Sequence, residues 1–157
     1  MMIREYQETY LIKPQSTLGT AFDFAINTCN ISSNDFIKLF LASSVSKKIE
    51  RGDPAYIGGK SGIEIVLEIV GDTKNEIILG KPYENYGRSI EYLIGWVIAY
   101  YQWYSTRSFM DIFNVIYFDD FQKIYYPLHE ADISKVTDII DSRIKNYYSE
   151  TNLKRYR

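Results

Sequence analysis

The chain has 157 residues, of which 46% are hydrophobic, and a formal net charge of −2 at pH 7. A chain of this length buries roughly 70% of its unfolded surface in one core, without help from disulfides or metals. The single cysteine, Cys29, excludes an internal disulfide and a cysteine zinc site, and the balanced charge argues against nucleic acid as the main partner.

Residues 1–14 are predicted to form an arm that carries Tyr6 and Tyr10 among polar residues. The sequence does not decide whether residues 3–13 form a strand or a helix. The first residues lack the apolar run of a signal peptide, so we expect a cytoplasmic protein. Further along, apolar residues recur at helical spacing and place Cys29 on the buried side of a first helix. We expect Cys29 to be a core residue, because no nearby base or cation would make its thiol reactive.

Ser32, followed three residues later by Asp35, is typical of a capping box that opens a second helix. Residues 32–52 also resemble in part a helix-turn-helix DNA reader, in which a short helix, a turn and a recognition helix follow one another. The segment is short for two helices with a turn, and it lacks the usual glycine of that turn. A DNA-binding repressor is therefore the first alternative function, with nucleic acid as the less favoured partner.

The loop GGKSG at residues 58–62 ends like a phosphate-binding loop, whose pattern is G-x-x-x-x-G-K-[ST]. Pro54 stands where the first glycine of that pattern belongs, and no strand pattern precedes it, so the match fails. The sequence instead predicts a tight turn in which Ser61 and Glu64 cap the next helix. A weak anion site is predicted at Lys60 and Ser61, where the amides of that helix start would face the anion.

Residues 71–88 are predicted to form a long loop. Within it, the sequence does not decide whether residues 76–80 form a strand or a helix. The run IEYLIGWVIAYYQWY follows at residues 90–104 and is apolar or aromatic on every side, which is typical of a helix in the middle of a protein. It is shorter than the stretch of about 20 apolar residues that spans a membrane, so we exclude a membrane partner. Gly95 and Ala99 leave a bare strip on which another helix can approach closely.

Further helical segments follow the central one. Ser108 and Asp111 predict a capped helix, and residues 118–125 predict a short further one. The last helix has the clearest amphipathic pattern, after which residues 149–157 are polar and predicted to fray. The sequence therefore predicts an all-α, single-domain bundle of about six or seven helices over residues 1–157, packed around residues 90–104 and without a cofactor.

His129 is the one histidine of the chain and stands beside Glu130. A helical zinc protease needs a second histidine four residues on, where this chain has Ile133, so no metal site is predicted. Adjacent side chains on a helix point apart, which leaves Glu130 badly placed to orient His129. A small enzyme using His129, Glu130 and Lys60 is the second alternative function.

Tyrosine is the unusual component of the chain, which has fifteen of them. A core of this size cannot satisfy every hydroxyl, so some tyrosines are expected at the surface, where tyrosine is a favoured interface residue. The amide of Gln102 in the central helix needs partners, supplied either by neighbouring tyrosines or by a bound protein in a groove. The predicted function is a non-enzymatic, cytoplasmic, protein-binding regulator, and its predicted partner-binding residues are Tyr6, Tyr10, Tyr101, Gln102 and Tyr104.

The stretch GWVIAYYQWY, from Gly95 to Tyr104, resembles a GWxxAYYQWY-like run in a group of uncharacterised small bacterial proteins. We associate those proteins with gene cassettes of the toxin–antitoxin kind. The resemblance implies an antitoxin-like protein whose partner is a toxin encoded nearby, and it implies no catalytic residue. It extends over most of the chain through the shared positions Gly59, Ser61, Gly62, Glu64, His129, Glu130 and Asp132.

Overall fold

The computed structural model describes the backbone of residues 3–72, 89–128 and 132–155. All regular secondary structure in this part of the chain is helical, which confirms the all-α prediction. These residues form eight α-helices, compared with the six or seven expected, and the helical stretch of residues 33–50 divides into two at Ser43. The α-helices are α1 (Ile12–Asp23), α2 (Ser33–Ala42), α3 (Ser44–Glu50), α4 (Gly62–Asp72), α5 (Ile90–Ser105), α6 (Phe109–Val115), α7 (Phe118–Leu128) and α8 (Ile133–Arg155).

Three short helical turns complete the first half of the chain. A 3₁₀ turn, Glu8–Tyr10, precedes α1, and a π-helical turn, Phe24–Thr28, continues it. A second π-helical turn, Ala55–Gly59, lies between α3 and α4. Single π-helical turns occur frequently at functional sites.

The chain divides into two compact units, Met1–Phe109 and Met110–Arg157. The first unit has an aromatic interior in which the Phe22 and Phe36 rings meet edge to face, with their centroids 5.1 Å apart. In the second unit the Phe113 and Phe121 rings meet in the same way at 6.2 Å. The expected organisation as a single domain stays a prediction.

Helix α5 corresponds to the predicted central helix. Ser89 Oγ accepts a hydrogen bond from the Tyr92 amide at its start, and Thr106, with a φ of 59°, ends it in the left-handed conformation. No residue of α5 is exposed, which confirms the prediction of a helix buried on every side. No helix in the described ranges has the length and apolar character that a membrane crossing requires.

Glycines let α1 approach α5 and α4 closely. A Cβ atom on Gly95 would collide with the Leu18 carbonyl oxygen of α1, and one on Gly19 would lie 2.9 Å from the Tyr92 carbonyl oxygen of α5. A Cβ atom on Gly62, at the start of α4, would lie 2.6 Å from the Thr17 carbonyl oxygen. The close contact at Gly95 is the helix approach that the bare strip predicted.

Helices extend into both predicted terminal segments. Helix α1 begins at Ile12, within the range 1–14 that is predicted as an arm, and Pro14 lies in its first turn, where a missing N–H costs nothing. Helix α8 continues to Arg155, and the fraying of residues 149–157 stays a prediction. Thr151 Oγ1 donates to the Tyr147 carbonyl oxygen at 2.9 Å within this extension. The open question at residues 76–80 lies outside the described residues.

Candidate functional site

The N-terminal arm, the start of α1 and the second π-helical turn surround a groove of about 870 Å³, which we name the arm groove. Its volume lies in the range of roughly 300–1,000 Å³ that is typical of ligand sites. The groove belongs entirely to the first compact unit. Its lining consists of Tyr6, Gln7, Thr9, Tyr10, Ile12, Lys13, Ser16, Pro54, Ile57 and Gly58.

The arm is held in place by the aromatic end of α5. Trp103 Nε1 donates a hydrogen bond to the Tyr6 carbonyl oxygen at 2.7 Å. The guanidinium of Arg4 lies 4.8 Å from the centroid of the Trp103 ring and 5.0 Å from that of the Tyr104 ring, within cation–π range. Burial raises the pKa of the Tyr6 hydroxyl, so this side chain stays neutral. These contacts place the arm as one wall of the groove.

The opposite wall begins at a glycine turn after α3. Gly52 has a φ of 70°, a left-handed conformation that glycine adopts without steric cost. A Cβ atom there would lie only 3.2 Å from the Glu5 carbonyl oxygen, so the arm passes directly over this turn. The Ala55 amide then donates to Asp53 Oδ1 at 3.0 Å, at the start of the π-helical turn that carries Ile57.

The groove presents apolar side chains to solvent. Tyr10 is 62% exposed and Ile12 is 77% exposed. Both line the groove, so both are accessible to a bound molecule. Among the lining residues Lys13 is the one that carries a charge. The lining therefore offers apolar contact area, hydroxyl and amide groups and a single cation. That combination suits binding of a partly apolar, acidic segment.

The five predicted partner-binding residues have different positions. Tyr6 and Tyr10 both line the arm groove. Tyr104 is half-buried and stacks on Tyr100 with ring centroids 6.2 Å apart. Tyr101 and Gln102 lie in the interior, so neither presents a surface to a partner. The arm therefore contains the predicted residues that the structure brings together.

Gln102 has an internal partner. Its Nε2 donates to the Arg107 carbonyl oxygen at 3.0 Å, just beyond the C-terminal end of α5. The side chain thereby satisfies a carbonyl that follows the helix. The sequence leaves two explanations open for this amide, and the hydrogen bond supports the internal one. The acceptor is a backbone carbonyl and not a tyrosine hydroxyl.

The side chains at the predicted anion site, at the start of α4, interact with other protein groups. Ser61 Oγ accepts a hydrogen bond from the Glu64 amide and donates to Glu64 Oε1, each at 3.2 Å, which confirms the predicted capping box. Lys60 Nζ forms an ion pair with Glu68 Oε2 at 2.6 Å. The carboxylate of Glu64 lies at the same helix start, and the anion site at Lys60 and Ser61 stays a prediction.

The reactive groups that the sequence singles out lie partly within the described residues. Cys29 is buried and burial raises its pKa, which disfavours the reactive thiolate. His129 and Glu130 lie outside the described residues, whereas Lys60 lies within them. No group of three metal-binding side chains occurs in the parts of the chain that the structure describes.

Helices α2 and α3 differ from a helix-turn-helix in their connection. They are separated by Ser43 alone, which is extended with a φ of −80° and a ψ of 160°. A DNA-reading pair is joined by a turn of about three to four residues. Helix α3 also has seven residues only, so it offers a short surface to a DNA groove. DNA binding by residues 32–52 stays an untested alternative.

Several residues of the groove do not stand out in the sequence. By sequence Ile12 falls in a polar arm, and Pro54 is only a mismatch to a phosphate-binding loop. One signal of exposure is present at Ile12. It directly follows the buried Leu11, and adjacent side chains on a helix point in different directions. The other wall at Ile57 carries no signal, because only folding brings it to the arm.

Comparison with known proteins assigns no family to the chain. No protein-family model, no curated protein and no solved structure matches it. The toxin–antitoxin association that the GWVIAYYQWY stretch implies stays a prediction. The functional proposal accordingly depends on the geometry of the arm groove.

Proposed function

We propose that the protein is a non-enzymatic, cytoplasmic regulator that binds a protein partner in the arm groove, as an antitoxin-like partner of a toxin encoded nearby. The observation that supports this proposal is the exposure of Tyr10 and Ile12 in a groove of about 870 Å³. Exposed tyrosine and isoleucine in a concave surface supply contact area that a partner can desolvate. Tyrosine does so with little loss of side-chain entropy.

The lining specifies the chemistry of the bound segment. One or two apolar side chains of the partner can pack against Tyr10, Ile12 and Ile57. Lys13 adds a cation beside these residues, so an acidic group next to the apolar anchor would find a complementary charge. The proposed occupant is therefore a short protein segment with an apolar anchor and a carboxylate.

The fixed arm favours such binding. Because Trp103 Nε1 holds the Tyr6 carbonyl oxygen and the Arg4 guanidinium lies over two rings, the groove wall is ordered before the partner arrives. A preformed wall loses less conformational entropy on binding than a wall that must first become ordered. The arm contacts thus contribute to affinity without touching the partner.

The test compares two exposed tyrosines. Tyr10 in the groove is 62% exposed and Tyr117 outside it is 65% exposed, so Tyr10→Ser and Tyr117→Ser remove the same groups from equally accessible sites. Each neighbouring gene product is co-expressed with the protein, and the complexes are measured by size-exclusion chromatography and titration calorimetry. We expect Tyr10→Ser to weaken binding by about tenfold or more, as for a tyrosine hot spot. Tyr117→Ser should leave the affinity unchanged.

Growth provides the second readout. Cells that produce the neighbouring toxin should grow when the wild-type protein is co-expressed, and the Tyr10→Ser variant should restore less growth. If the two variants bind the partner with equal affinity, the interface does not lie in the arm groove. A protein that binds no neighbouring gene product and rescues no growth would contradict the antitoxin-like role.

A further inference from the structure

Two lysines converge on one buried tyrosine beside the second π-helical turn. The Nζ atoms of Lys48 and Lys60 each lie 3.2 Å from the hydroxyl oxygen of Tyr56, to which both donate. The Tyr56 hydroxyl in turn donates to Glu68, whose other carboxylate oxygen accepts from Lys60 at 2.6 Å. We name Lys48 and Lys60 the lysine pair.

The tyrosine ring orients the lysine pair. Tyr56 is 6% exposed, so packing fixes its ring and hydroxyl. The Lys48 and Lys60 ammonium groups lie 4.9 Å and 4.4 Å from the ring centroid, within cation–π range. Both lysines are themselves half-buried, so solvent reaches them. The result is two accessible cations held around one rigid oxygen.

The cluster has more positive charge than its carboxylate neutralises. Within the described residues the lysine pair meets a single carboxylate, that of Glu68, which forms an ion pair with Lys60. Lys48 donates to the hydroxyl oxygen of Tyr56. The hydrogen bond to Glu68 raises the pKa of Lys60, and that to Tyr56 raises the pKa of Lys48, so both ammonium groups are charged at neutral pH.

We propose that the lysine pair binds a phosphate-type tetrahedral oxyanion. An ammonium group has three donors, and Lys48 uses one of them on Tyr56, so further donors remain for a ligand. A tetrahedral anion presents oxygens in several directions and can meet both cations at once. Coulomb attraction scales with charge, so a dianion gains about twice as much from the excess positive charge as a monocarboxylate does.

This site is separate from the arm groove and does not depend on the proposed function. Neither lysine lines the groove, although Tyr56 directly precedes the groove residues Ile57 and Gly58. It also differs from the site that the sequence predicts, because the capping pair Ser61 and Glu64 is not used.

Two neighbouring lysines provide a matched test. Lys47 is exposed and one position before Lys48, so Lys47→Met and Lys48→Met remove the same charge from the same helix. Inorganic phosphate is titrated into each protein at constant ionic strength, followed by NMR chemical shifts and by the melting temperature. We expect Lys48→Met to weaken phosphate binding by about tenfold or more and Lys47→Met to leave it within about twofold of wild type. Equal weakening by both variants would overturn the proposal, because it would indicate general charge attraction.

A second variant separates binding from structural support. Glu68→Gln removes the carboxylate that competes with the ligand, so it should tighten phosphate binding even though it removes the partner of Lys60. Weaker phosphate binding by a folded Glu68→Gln protein would overturn the proposal. Titration with adenosine 5′-monophosphate distinguishes the source of the phosphate group: tighter binding than inorganic phosphate indicates an organic phosphate, and equal binding indicates the free anion.

Discussion

Glu68 stabilises the fold through two hydrogen bonds to one carboxylate. Burial by itself would raise the pKa of this group, but the hydrogen bonds from Lys60 and Tyr56 outweigh it, and the pKa lies below the usual 4.5. A carboxyl group whose pKa is lower in the folded protein stabilises the fold above its unfolded pKa. That stabilisation is lost as the pH falls through the folded pKa, when the group is protonated in both states.

We therefore expect a pH-dependent effect of Glu68→Gln. At neutral pH the variant should have a lower free energy of unfolding than the wild type, because the charged carboxylate is removed. The difference should shrink as the pH falls below about 5 and approach a constant minimum at the lowest pH. Urea unfolding over a series of pH values measures it, with Asp138→Asn, at an exposed carboxylate of α8, as the control. A difference that does not change with pH would contradict the assignment.

The packing of α1 against α5 and α4 depends on three glycines. Backbone atoms, and not flexible side chains, are the nearest neighbours at Gly95 and Gly62, so neither can be relieved by a rotamer change. At Gly71 near the end of α4, by contrast, no atom lies within 4 Å of the position that a Cβ atom would take. The same substitution thus has opposite consequences on two helices of one compact unit.

We expect Gly95→Ala to lower the free energy of unfolding by about 3 kcal/mol, which is roughly 6–12 °C in melting temperature for a chain of this size. The added methyl group collides with the Leu18 carbonyl oxygen and forces α1 away from α5. Gly71→Ala should change the free energy by less than about 1 kcal/mol, because its site is open and alanine favours the helix. Thermal melts followed by circular dichroism measure both, and equal melting temperatures would contradict the close crossing.

At the scale of the whole molecule, the proposed sites lie in the first compact unit. The lining of the arm groove ends at Gly58, and the ring that holds the arm belongs to Trp103, before the boundary after Phe109. The lysine pair lies in the same unit. The partner interface that we propose is therefore encoded by residues 1–109.

We accordingly expect a chain shortened to residues 1–109 to keep both helical structure and partner binding, because its groove and arm contacts are complete. Circular dichroism and a thermal melt establish folding, and calorimetry with the partner measures affinity, with Tyr10→Ser in the same fragment as the control. A fragment that melts cooperatively but does not bind would contradict the placement of the interface. A fragment that does not fold would favour the single-domain organisation that the sequence predicts.

The sequence by itself determined that the chain is helical and that α5 is an interior helix. An apolar run on every side identified α5 as an interior helix, and serine three residues before an acidic residue identified the capped starts of α2 at Ser32 and α4 at Ser61. These features depend on residues within one or two turns of each other. Local spacing is therefore sufficient to predict them.

Tertiary structure decided which residues form the candidate sites. A helix that is apolar all round has no outward face in its sequence, so nothing distinguished the buried Tyr101 from the half-buried Tyr104. The hydrogen bond between Tyr6 and Trp103 joins positions 97 residues apart. The arm groove and the lysine pair likewise bring together separate elements, and such contacts are set by how helices pack, which the periodicity of any one helix does not encode.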